Sequence, residues 1–186
     1  MSVQVARRYF TVDEYHRMGE AGVFSENDRV ELIEGEILKM SPIGSRHAAS
    51  VKRTARLFNN LLGDRVIVSV QDPIVLDDFS EPQPDIALVK PRDDSYGAAH
   101  PGASDVLLVI EVADTSLAYD HEIKLPAYAR SGIPEVWIAN LIAETVEAHT
   151  ELLNGSYRTV RSYRRGDSIT PLHFPDLSIE VASVLG

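Results

Sequence analysis

Val106-Leu107-Leu108-Val109-Ile110-Glu111-Val112 is apolar on both alternations of an extended chain, so it is predicted as a strand buried on both faces at the centre of a sheet. One acid interrupts it. A carboxylate inside such a strand is expensive unless a cation or hydrogen-bond donors meet it, which makes Glu111 the first candidate functional residue. Upstream, Pro84-Asp85 leads into the apolar run Ile86 to Val89, and Arg65 to Gln71 is a further extended segment. If the strands carrying Asp85 and Glu111 are neighbours, the two carboxylates meet at one end of the sheet.

Away from these strands the periodicity changes. Thr11 and Glu14 fit a capping box that opens a helix, and Gly22 sits where it would stop. Arg29 to Met40 reads as a hairpin turning at Glu34-Gly35. Ser45 to Leu62 has a helical period, with Val51, Ala55, Phe58 and Leu62 on one stripe and Lys52, Arg53 and Arg56 off it. A short helix is predicted roughly over Glu122 to Arg130, starting at or after Asp120, because Pro126 has no N–H to give and belongs in the first turns. Gly132 and Pro134 end it. PEVWIAN (134–140) and ETVEAHT (144–150) read as a second hairpin, with Tyr157 to Arg165 and Ser168 to Leu172 as further edge strands. The expectation is one domain over residues 1–186, an α/β fold with a mixed β-sheet flanked by helices.

Composition narrows the function classes. The 186 residues are 44% hydrophobic and 25% charged, ordinary for a globular chain, which excludes disordered and collagen-like readings. Cysteine is absent, so disulfides, thiolate metal sites and cysteine nucleophiles are excluded. The amino terminus MSVQVARRYF lacks the apolar core of a leader peptide, and no stretch reaches the ~18 apolar residues of a membrane span. A cytoplasmic protein without a membrane partner is expected. The net charge of −10 argues against a nucleic-acid partner, yet it is unevenly divided. Arg46 to Arg65 carries +4 and Arg158 to Arg165 another +4, leaving −18 on the rest of the chain.

Two hard oxygen ligands held on strands suit Mg²⁺ or Mn²⁺ better than zinc. Lys124 lies four residues after Asp120 and four before Tyr128, so on a helix the three share one face that could look back at Glu111. A lysine there could balance the carboxylates, orient an attacking water or steady charge on a phosphoryl oxygen. Structural roles compete for the same residues. Asp85 could be a turn acid, Glu111 could pair with an arginine in the core, and Lys124, Lys52 and Arg53 could belong to solvated helix faces. Tyr128 could simply pack, and Trp137 could be core or an interface anchor.

Pro84-Asp85, then Glu111 within LLVIEV, then a lysine, resembles the PD-(D/E)XK nuclease superfamily. The wider context is more specific. ELIEGEI (31–37), His47 opening a helix, QPD (83–85), VIEVADTS (109–116) and DHEIKLPAYARSGIPEVWI (120–138) together resemble the Uma2 family of restriction endonucleases, from about Phe10 to Leu177. The resemblance implies a restriction-endonuclease-like fold and a Mg²⁺- or Mn²⁺-dependent endonuclease that hydrolyses phosphodiester bonds in DNA. It implies metal binding by Asp85, Glu111 and the backbone carbonyl of Val112, with Glu31 contributing directly or through water. The superfamily lysine expected two residues after Glu111 is replaced by Ala113, and the resemblance hands its part to Lys124. His47, Gln71 and Gln83 are candidates for orienting phosphate or water, and Tyr128, Lys52 and Arg53 for further substrate contacts. A homodimer follows by analogy with enzymes that cut two strands. The alternative is a nuclease-fold protein without turnover, acting as a nucleic-acid-binding or scaffold module, to which Ala113 points. A glycosidase-like carboxylate pair is disfavoured by an aromatic content of 7% and a single tryptophan.

Overall fold

The computed structural model describes residues 6–25 and 27–186; residues 1–5, on which part of the leader reading rests, and Glu26 lie outside the described residues. The elements up to the fourth strand are α1 (Val12–Glu20), β1 (Val30–Ile33), β2 (Glu36–Lys39), α2 (Ser45–Leu62), β3 (Ile67–Ser69) and β4 (Ile86–Val89). There follow β5 (Val106–Ala113), α3 (Leu117–Tyr119), a π-helical turn (Asp120–Lys124), α4 (Leu125–Arg130) and β6 (Val136–Asn140). The chain ends with β7 (Thr145–Leu153), β8 (Ser156–Arg164), β9 (Ser168–Ile169), β10 (Ile179–Glu180) and α5 (Val181–Leu185).

Six strands form one sheet in the order β3-β4-β5-β6-β7-β8, with β5 parallel to β6 and every other pair antiparallel. It is a mixed α/β fold, with the sheet flanked by helices. The doubly apolar strand is central because both of its alternations find a core. Leu108, Ile110 and Val112 pack with Phe58 of α2, Trp137 and Val181 of α5 on one face. Val109 and Ala113 pack with Ala127 and Tyr128 of α4 and with Ile33 of β1 on the other. Glu111 has the parity of Val109 and Ala113, so its side chain emerges among α4 and the β1–β2 hairpin.

Local signals explain the flanking elements. Thr11 caps α1 by accepting from the Glu14 amide at 3.2 Å while the Glu14 carboxylate accepts from the Thr11 amide at 3.2 Å. The β1–β2 turn places Glu34 at φ 51° and Gly35 at φ 76°, the left-handed pair that a two-residue hairpin requires. A side chain at residue 35 would meet Tyr9 at 2.5 Å, so glycine is needed there twice over. α5 ends on α2, where Ser50 Oγ donates to the Val184 carbonyl at 2.8 Å and Arg53 to the Leu185 carbonyl at 3.0 Å.

The structure corrects the sequence reading in three places. The helix predicted to begin at or after Asp120 begins at Leu117, and Pro126 stands within a continuous helical segment. The π turn makes this possible, since the Leu125 amide donates to the Asp120 carbonyl five residues back and the register is adjusted just before the proline. Ser168 to Leu172 shrinks to β9, which pairs with β10 outside the six-stranded sheet and is followed by Pro171. β8 is therefore an edge of that sheet. Arg65 to Gln71 narrows to β3, because Arg65 belongs to a single 3-10 turn and Gln71 takes a left-handed φ of 56°.

Candidate active site

Register brings the two strand acids together. Ile86 pairs with Ile110, so Asp85, one residue before β4, lies beside Glu111 and Val112 near the end of β5. The Asp85 amide donates to Glu111 Oε2 at 3.3 Å, and the Val112 amide donates to Asp85 Oδ2 at 2.9 Å. In the parallel pairing with β6, the odd-numbered residues of β5 point their peptide groups at β6, as Val109 does to Glu135 and Ala113 to Leu141. Val112 consequently turns its peptide groups the other way, toward the edge where β4 gives place to Asp85.

The third group comes from the helical segment after β5. Lys124 is buried at 5% exposure, and its Nζ donates to Glu111 Oε1 at 3.2 Å and to the Gln83 carbonyl at 3.2 Å, with Glu31 Oε2 at 3.4 Å. The Tyr128 hydroxyl donates to Glu111 Oε1 at 2.6 Å. Glu31, fully buried on β1, accepts from the Tyr119 hydroxyl at 2.8 Å and from the Gln83 amide at 2.9 Å. Its oxygens are thus engaged in holding Lys124 and the Gln83 backbone. Across the sheet end, the first turn of α2 supplies His47, whose Nε2 lies 2.9 Å from Asp85 Oδ2, and Gln71 donates to Asp85 Oδ1 at 3.1 Å.

Four carboxylates, Glu31, Asp85, Glu111 and Asp120, face Lys124 and His47. Burial pushes the Glu111 carboxyl up to about 8, with Asp120 and Asp85 adding to the rise and Lys124 opposing it. Burial likewise raises Asp120 against the pull of Lys124 and of Ser116, whose hydroxyl donates to it at 2.7 Å. Asp85 goes the other way, because its hydrogen bond to His47, the charge of that imidazole and the Val112 amide outweigh its burial. The same bond raises His47. Burial alone would lower Lys124, but Glu111, Glu31, Asp120 and Asp85 together raise it, so the ammonium stays charged.

These groups open into a cavity of about 380 Å³. Glu31, His47, Gln71, Gln83, Asp85, Glu111 and Lys124 line it, whereas Tyr128 stands behind Glu111. Lys52 and Arg53 lie further along α2 and do not line it. Its wall includes two cations the sequence reading passed over, Arg29 and Lys39, at the open ends of the β1–β2 hairpin. Tyr119 and Asp120 were also passed over as site residues. Asp120 carried a signal in its spacing from Lys124, but Tyr119 is five residues from Lys124, a spacing that an ordinary helix separates. Across the π turn, the Lys124 ammonium sits 5.9 Å from the centre of the Tyr119 ring.

The donor set fits a hard divalent cation. Asp85 and Glu111 are carboxylates on rigid strand ends, the Val112 peptide faces the same edge, and the surrounding acids outnumber the cations that meet them.

The fold has a solved counterpart. A crystal structure described as that of "a putative nuclease belonging to DUF820 from Anabaena variabilis" is similar over 95% of this chain and 97% of that one, with a TM-score of 0.75 and 16% identity. No curated protein matches the sequence. The model of the Uma2 family, described as "Putative restriction endonuclease", matches residues 12–182, and the chain belongs to that family.

Proposed function

We propose that this protein is a metal-dependent DNA endonuclease that hydrolyses phosphodiester bonds with water as the nucleophile. The observation that carries the reading is the Lys124 ammonium on Glu111 at 3.2 Å, which supplies a cation at the acid pair although Ala113 stands at the strand position of the superfamily lysine. Asp85, Glu111 and the Val112 carbonyl would hold Mg²⁺ or Mn²⁺. Bound there, the ion supplies Lewis acidity toward a phosphoryl oxygen and lowers the pKa of water.

The chain's own residues do the rest. Lys124 keeps its proton, so it acts as a fixed donor and positive charge toward the attacking water and the phosphoryl oxygen, and does not act as a base. Glu31 holds Lys124 from the hairpin side and is itself held by the Tyr119 hydroxyl, and Tyr128 fixes Glu111 from behind. His47 and Gln71 orient Asp85. Arg29 and Lys39 on the cavity wall suit flanking phosphates. Water attacks phosphorus, one P–O bond forms, the bond to the leaving sugar oxygen breaks, and that oxygen takes up a proton. One centre cuts one strand, so cleavage of both strands calls for a homodimer, which sedimentation would register.

The test is cleavage of supercoiled plasmid and of single-stranded DNA with Mg²⁺ or Mn²⁺. Wild-type protein is expected to cut, and Asp85→Ala and Lys124→Ala to lose at least about a hundredfold. Unchanged cleavage in both variants would overturn the mechanism. Binding without cleavage in either metal would favour the turnover-free module.

A further inference from the structure

Two strands away from Glu111, on the same face of the sheet, lies a second group of ligating side chains. Glu111 is in register with Ile138 of β6, and Ile138 with Glu147 of β7. His149 is two residues further along β7 and so points to the same face as Glu147. His121, from the π turn, comes down over both. Glu147 Oε2 lies 3.1 Å from His121 Nε2 and 3.4 Å from His149 Nε2, and the three ligand atoms all lie within 4.8 Å of one another.

His149 Nε2 carries the argument. Its side chain is 5% exposed, and the nitrogen is buried without a hydrogen-bond partner, since Glu147 at 3.4 Å lacks the geometry of a bond. A buried imidazole nitrogen left unpaired is costly, and this one is aimed at a carboxylate and a second imidazole. We propose that His121, Glu147 and His149 form a metal site for a borderline divalent transition metal, with zinc the type ion. Ligands at the ~2.0–2.2 Å typical of zinc stand about 3.3–3.6 Å apart around a tetrahedron, close to the two distances from Glu147. Two imidazoles and one carboxylate favour such an ion over the hard cations suited to the Asp85–Glu111 edge. His121 and Glu147 are 34% and 25% exposed, which leaves the site open to an entering ion and to a fourth ligand from solvent.

The site has a structural consequence. His121 belongs to the same turn as Lys124, so an ion held there ties that turn to β7 and pins the helical segment that presents Lys124 and Tyr128.

Titration of metal-free full-length protein with Co²⁺, followed by its visible absorption, and competition with Zn²⁺ test the assignment. One equivalent is expected to give the absorption of a low-coordinate nitrogen–oxygen site. His121→Ala and Glu147→Gln, both at partly exposed positions, are expected to weaken binding at least about tenfold, and Asp85→Ala to leave it unchanged. Zn²⁺ should raise the Tm of the wild type and not that of His121→Ala. Wild-type protein without the Co²⁺ signal, His121→Ala binding as tightly as wild type, or loss of the signal in Asp85→Ala would each overturn the proposal.

Discussion

Lys124 sits where three separate parts of the chain converge: Glu111 from the central strand, Glu31 from the hairpin and the Gln83 carbonyl from the loop before β4. Removing its charge leaves the buried Glu31 and Glu111 without the cation that both meet, and breaking a buried pair in this way typically costs about 3–5 kcal/mol. Lys124→Met is therefore expected to lower unfolding free energy by about 3–5 kcal/mol, read by urea denaturation, alongside the loss of cleavage. Glu111 makes a second prediction through its proton. Its folded pKa of about 8 stands above the ordinary 4.5, so its contribution to stability is full below about 4.5 and is lost as pH rises through about 8. Metal-free protein should show a urea midpoint that falls between about pH 4.5 and pH 8 and levels off above it. Glu111→Gln should flatten that fall, and saturating Mg²⁺ should reduce it by meeting the charge.

Elements carry a different kind of information. The apolar stripe of α2, the capping box of α1 and the Glu34-Gly35 turn are local signals, and each could be read from neighbouring residues. The π turn could not. In it the Leu125 amide donates to a carbonyl five residues back, in a turn that buries Asp120 and Lys124, and no local pattern announces that register. Glu135, just ahead of β6, is another case of a residue whose role appears only in the fold. Buried at 1% exposure, it accepts from the Trp137 indole at 2.7 Å and from the Leu172 amide at 2.8 Å, and so ties the segment after β9 to the central strands. Glu135→Ala orphans both donors and is expected to destabilise by about 1–3 kcal/mol for each, measured by denaturant unfolding.

At the scale of the whole molecule the net charge of −10 divides differently in space than along the chain. The arginines from Arg158 to Arg165 do not make one patch, because pairing puts Arg161 opposite Ala148 on one face and Arg164 opposite Thr145 on the other. Arg29, half-buried, and Lys39, exposed, belong to neither basic stretch and line the cavity beside its acids. DNA binding is accordingly expected to be weak, salt-sensitive and dependent on a divalent cation, which fluorescence anisotropy across a salt series would read. Replacing Arg29 and Lys39 with alanine should reduce the salt slope by about 2, and tight binding in EDTA would contradict this picture. Among the described residues no helix is long and apolar enough to cross a membrane.

The central strand, its neighbours and the candidate groups Asp85 and Glu111 were legible in the residues, because alternation, a proline-led acid and an acid in an apolar run are local patterns with local physical causes; Lys124 was offered by its helical spacing and by the family resemblance. Other features were decided only by tertiary packing. Glu31 and Tyr119 join the site because the hairpin folds over the sheet. Arg29 and Lys39 reach the cavity where Lys52 and Arg53 do not, since helix rotation is set by which stripe is buried. His121 meets Glu147 and His149 because β7 lies two strands from β5 under the same helical segment. Sequence distance carries no record of that adjacency. Strand order creates it, through hydrogen bonds and apolar burial that form only once the sheet is assembled.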